Sequence, residues 1–202
     1  MATSKTYVYD GSFNGFLTLV YRAFDAKAMQ PIIQKSAKAD NELFTQQEYV
    51  VTNLEIAKLV WNGITQKNHL AIKRIYFAFL SEANQIEQQL FVYIKYVMGV
   101  EAPEDFEAMK SVIAQLTQMC DKVEREKKRT EAFVQFQLTQ DQTYMVQIKP
   151  KYNVLPLLSK YLKHKNPGRH WQVYDTKRKC GLSYAFGKLE LVNSSNSIKQ
   201  AV

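Results

Sequence analysis

Apolar residues along this 202-residue chain follow a strand-like spacing first, then a long helical one, and a strand-like one again towards the end. Lys5 to Tyr9 (KTYVY) is dense in β-branched and aromatic residues and stops at the turn pair Asp10-Gly11, which predicts a short strand. Ser12 then stands where a helix N-cap belongs. Phe13, Phe16, Leu17, Val20 and Phe24 follow at i, i+3, i+4, i+7 and i+11, one apolar helix face, which Pro31 closes. Residues 28–45 are mostly polar, with Ile32, Ile33, Leu43 and Phe44 as anchors, and predict a connection. Thr52-Asn53-Leu54-Glu55 predicts a capping box with Thr52 as cap, ahead of a buried stripe of Leu54, Ala57, Val60, Trp61 and Ile64. Asn68 caps a third predicted helix that carries Ala71, Ile72, Ile75, Tyr76, Phe79 and Leu80. A fourth, over residues 85–98, ends at Gly99, suited to a left-handed C-cap; a fifth opens at Pro103 and keeps its period from Phe106 to Val123, before the charged run Glu124 to Arg129.

From Ala132 the period shortens. AFVQFQL, a polar turn and Tyr144 to Ile148 predict a hairpin that includes Phe133, Val134 and Phe136. Asn153 to Leu162 predicts a short helix with Leu155, Leu158 and Leu162 inward and Pro156 in its first turn. Trp171 to Tyr174, Gly181 to Phe186 and Leu189 to Val192 predict three strands. Such segregated runs argue an α+β fold, with helices packed on a mostly antiparallel sheet, as a single domain over residues 1–193 and a flexible tail over 194–202.

Composition narrows the class. A hydrophobic content of 46% and an aromatic content of 12% belong to a globular chain. Cys120 and Cys180 lie far apart, which argues against a disulfide framework, a zinc motif or an iron–sulfur motif; no cofactor and no metal are expected. The first ten residues lack an apolar signal core and no apolar run reaches about 20 residues, so the expectation is a soluble, cytoplasmic protein with no membrane contact.

Charge changes the picture most. Lys149 to Lys179 holds nine Lys/Arg and one acid, Asp175, so its balance of +8 equals that of the whole chain. Tyr152, Tyr161, Trp171 and Tyr174 interleave with this charge, the composition expected where cations meet phosphates and rings meet bases. Lys149, Lys151, Arg169, His170, Lys177 and Arg178, with Trp171 and Tyr174 for stacking, are therefore the candidate nucleic-acid contacts. The competing reading is a solvated surface over an ordinary core.

Dinucleotide, P-loop, HExxH and Gly-x-Ser-x-Gly signatures are absent, which lowers the expectation of an enzyme, and no catalytic residue is assigned. The candidates for an enzyme reading are Asp10 and Ser12, which put a carboxylate and a hydroxyl at a helix N-terminus, and His170 with Asp175. A turn followed by a cap accounts for the first pair, and a phosphate or base contact for His170. Glu124 to Arg129 reads as a second phosphate-facing surface or as a solvated helix face.

YVYDGSFNGFLTLVYRAF near the start, AFLSE at 78–82, EREKKRTEAFVQF in the middle and NVLPLLSKYLKHKNPGRHWQVYDTKRKCGLSY towards the end resemble, in that order, the DUF4130 family of bacterial proteins named for DNA metabolism and DNA repair. The resemblance implies a companion of a radical SAM protein thought to act on DNA, and a domain that also occurs fused to uracil-DNA-glycosylase-like domains. The chain departs from the family pattern at Lys149-Pro150-Lys151-Tyr152, where the family favours acidic EPDF, and at Gln135, where it often has Arg. The basic surface is thus partly a property of this member. The expected function is an accessory protein that binds nucleic acid, DNA foremost, and assists a partner enzyme. The alternatives are an enzyme acting on nucleic acid or a nucleotide, and a protein-interaction module.

Overall fold

The computed structural model describes residues 5–28, 30–36, 47–100, 106–140 and 142–192. The chain divides into two compact units, Met1–Cys120 and Asp121–Val202. Pro103 and residues 194–202 lie outside the described residues.

The first unit is built on β1 (Thr6–Tyr9), which is buried along its whole length and is the middle strand of a sheet ordered β2-β1-β3. Strands β2 (Ile32–Lys35) and β3 (Gln47–Tyr49) both pair with it in parallel, with Tyr9 opposite Lys35 and Val8 opposite Tyr49. Parallel neighbours need a crossover, and α1 (Phe13–Asp25) supplies the one between β1 and β2. Ser12 caps α1 as expected, its Oγ accepting from Gly15 N at 2.9 Å. Phe16, Leu17 and Val20 are buried, and Phe16 stacks on Phe79 with ring centroids 5.6 Å apart. The expectation of a connection over 28–45 is corrected where it is described, because β2 occupies 32–35.

Helices α2 (Leu54–Lys67), α3 (His69–Leu80) and α4 (Ile86–Met98) follow. Asn68 caps α3, and Gly99 ends α4 in the left-handed region at φ 67°. The cap of α2 is Asn53, not Thr52: Asn53 Oδ1 accepts from the backbone of Glu55 and Ile56, while the Thr52 hydroxyl is turned to Asp10. The helix therefore starts one residue later than the capping box implied, and Leu54 is 56% exposed rather than part of the stripe.

Helix α5 (Phe106–Phe133) runs through the division between the units. Its last turns correct the hairpin expectation: Phe133 is helical, and the first hairpin strand shrinks to β4 (Gln137–Leu138), paired antiparallel with β5 (Tyr144–Ile148). The second unit continues with α6 (Leu155–Lys165), β6 (Trp171–Asp175), β7 (Cys180–Ala185) and β8 (Lys188–Val192), in a sheet ordered β4-β5-β6-β7-β8. Leu155, Leu158 and Leu162 of α6 are buried, and Pro156 sits in its first turn. Because α6 is a crossover, β5 and β6 pair in parallel, while β6, β7 and β8 form an antiparallel meander. Helix and strand are mixed as expected; the first sheet pairs in parallel, and the second is mixed, with three antiparallel pairings and the one parallel pairing of β5 with β6.

Candidate nucleic-acid interface

The parallel register of β5 and β6 sets Ile148 opposite Asp175, so the residues that follow each strand emerge side by side. Thr176 is tied to Ile148 O through its backbone N–H at 2.9 Å and its hydroxyl at 3.2 Å. Asp175 is fully buried and its carboxylate is consumed locally. Oδ1 accepts from the backbone of Lys177 (2.9 Å) and Arg178 (3.2 Å), and Oδ2 from Arg178 Nη1 (2.8 Å). The same guanidinium donates to the carbonyls of Pro150 (3.3 Å) and Lys151 (3.2 Å), and Lys177 Nζ donates to Lys151 O (2.7 Å). The two ends of the basic block are thereby fastened together. Asp175 and Arg178 form the fastener, and their charges are answered by each other and by the backbone.

Beside this clasp lies a groove of about 630 Å³ between the end of α5 and the end of β5. Its cations are Arg129, Lys149, Lys151 and Lys177, and its one acid is Glu126, which accepts from Lys151 N at 2.6 Å. Phe133, Val146, Ile148 and Pro150 give it an apolar floor. Arg129 and Lys149 are exposed and have no ion pair among the described residues. The surrounding unit is strongly basic: residues 121–202 hold 16 Lys/Arg and 7 Asp/Glu, against 11 and 12 in residues 1–120, giving +9 and −1. Arg129 belongs to the charged run Glu124 to Arg129, read from sequence as a second phosphate-facing surface or a solvated helix face, whereas Phe133 is a hairpin residue by sequence pattern. The signal existed, since Glu126, Arg129, Thr130 and Phe133 stand at i, i+3, i+4 and i+7 and share one helix face once the helical period is carried past Arg129.

Arg169 and His170 do not join the groove. They precede β6 while Asp175 ends it, and five residues of strand at about 3.3 Å each separate His170 from Asp175 by roughly 16 Å. The two cannot act as an acid–base pair. Arg169 lies over the Tyr144 ring, 4.7 Å from its centroid, and His170 meets Phe186 edge-on at 4.5 Å. Trp171 is 0% exposed and stacks on Tyr184, and Tyr174 is 7% exposed, so neither ring is open to a base. Strand alternation places Trp171 and Val173 on a buried face.

In the first unit, Asp10 and Ser12 are engaged in capping. Asp10 Oδ1 accepts from Ser12 N (2.9 Å) and Oδ2 from Thr52 Oγ1 (2.8 Å). Burial pulls the Asp10 carboxyl up, but the hydrogen bonds from Ser12 and Thr52 outweigh it and hold the group below its ordinary value. Gly15 is enclosed by this arrangement, since a Cβ there would come within 2.2 Å of Asp10 Oδ1. Nearby, buried Glu87 takes the Tyr9 hydroxyl (3.1 Å) and Lys35 Nζ (2.9 Å) on one oxygen. Burial, with the Glu87 carboxylate beside it, pushes the Tyr9 phenol far above its ordinary value. These groups satisfy one another, which is the signature of a structural network.

Among the described residues no group of three or more His, Cys, Asp or Glu is gathered as a metal site would require, and no helix is long and apolar enough to cross a membrane. No curated protein and no solved structure matches the chain. The family model described as a domain of unknown function, DUF4130, matches residues 84–201. That span leaves out the opening YVYDGSF motif and takes in EREKKRTEAFVQF, NVLPL and every residue of the groove. Matched over more than half its length, the chain belongs to the DUF4130 family.

Proposed function

We propose that this protein is a nucleic-acid-binding accessory factor in DNA metabolism, engaging DNA through its second unit on behalf of a partner enzyme. The observation that carries the reading is the concentration of Arg129, Lys149, Lys151 and Lys177 around one groove in a unit of charge +9, whereas residues 1–120 sum to −1. Fixed cations on a low-dielectric wall attract a polyanion, and counterion release then adds a salt-dependent gain in affinity. The family resemblance supports DNA as the polyanion and a radical SAM protein as the partner. An enzymatic role for the protein itself draws little support from Asp10, Ser12 and Asp175, whose polar atoms are occupied in caps and the clasp.

Fluorescence anisotropy with labelled DNA over a salt series tests the reading. Binding at low salt should weaken on a log–log plot with a slope of about −0.7 per phosphate contact on single strands, or about −0.9 on duplex. Absence of binding at low salt would overturn it.

A further inference from the structure

Resting on that reading, we infer that the groove between α5 and β5 takes an unpaired nucleotide, with the backbone phosphate on Arg129 and Lys149 and the base against Phe133. A surface that only followed duplex phosphates would need cations alone. Here the cations border an apolar floor, and Phe133, 74% exposed, is a large aromatic ring left open to solvent inside that lining. A paired base keeps its faces inside the duplex stack; only an unpaired one offers a face to such a ring. The volume of about 630 Å³ falls within the roughly 300–1,000 Å³ of pockets that enclose small organic ligands, which suits one nucleotide. Glu126 is held by the Lys151 backbone and Lys177 by the Lys151 carbonyl, which fixes the groove's end and leaves Arg129 and Lys149 as the cations not committed to the protein.

The test compares a fluorescein-labelled oligothymidylate with an abasic strand of equal length and charge, on the wild-type protein and on Phe133→Ala, Phe133→Leu and Phe133→Trp. Stacking of one base predicts that the wild type binds oligothymidylate roughly five- to hundredfold tighter than the abasic strand. Phe133→Ala and Phe133→Leu should bring that ratio close to one, and Phe133→Trp should restore it. All three variants should melt like the wild type, because the ring is exposed. Equal affinity of the wild type for the two strands, or a ratio unmoved in Phe133→Ala, would overturn the inference and leave the electrostatic reading standing. Failure to bind either strand or duplex at low salt would overturn both, and would give the groove to a partner of different chemistry, such as an acidic apolar peptide.

Discussion

In both units polar side chains gather where parallel strands end, and they are used in opposite ways. At the end of β1, the carboxylates of Asp10 and Glu87 are answered within the unit by Ser12, Thr52, Tyr9 and Lys35, in a unit whose formal charge is −1. At the end of β5 and β6 one buried carboxylate, Asp175, holds the backbone in place, and the cations around it exceed the acids. Internal satisfaction of a polar network holds its members in place; unanswered charge of one sign leaves a surface that attracts opposite charge. Titratable residues at strand ends therefore say little by their presence; what decides is whether their hydrogen bonds and charges are already spent.

The largest effect that could break this comparison is on stability. Asp175→Ala should cost about 3–5 kcal/mol, because it strands the largely buried Arg178 guanidinium and frees the two segments that the clasp joins. Chemical denaturation would measure it; a loss below 1 kcal/mol would show the clasp to be dispensable. Phe16→Ala, in the first unit, should cost a similar amount of about 3–5 kcal/mol through the cavity left against Phe79, without altering any nucleic-acid affinity. An affinity change in that variant, with its melting temperature unmoved, would mean that the α1 face serves a ligand.

Acid titration probes the scaffold side more finely. The folded-state value of Asp10 is lowered below its ordinary 3.8, so its contribution is fully present above that pH and is lost as the pH falls below it. Asp10→Asn should therefore be less stable than wild type at neutral pH and should lose less on acidification. Urea midpoints taken between about pH 2 and pH 6 would show the two curves converging at the acid end; parallel curves would remove Asp10 from the cap network.

Much of the scaffold was legible in the sequence because its signals are local. Ser12, Asn68 and Gly99 act through their own turn of backbone, and the face of Phe16, Leu17 and Val20 is fixed by helical period alone. Strands β2 and β3 were not legible: IIQK and QEY are short, lack clear alternation, and become strands only by pairing with β1. The site was half legible for the same reason. Lys149, Lys151, Lys177 and Arg178 could be picked by charge, but only the parallel pairing of β5 and β6 brings 149–151 to 177–178 and sends Arg169 and His170 to the far end. Trp171, aromatic amid charge, reads as a stacking residue by composition, but strand phase places it in the core. Phe133 reads as a strand residue by local pattern, and it is the continuation of α5 that carries it to the groove.

If the second unit is the one that meets phosphate, its unspent charge, and not the protein's charge in general, sets the salt dependence of binding. Two double charge reversals on exposed residues isolate it: Arg129→Glu with Lys149→Glu at the groove, and Lys67→Glu with Lys73→Glu on the first unit. The salt dependence of single-stranded DNA binding should flatten by about 1.4 in log–log slope for the groove pair, since each lost contact removes about 0.7, and should stay at the wild-type slope for the first-unit pair. Equal flattening by both pairs, or none by the groove pair, would contradict the account.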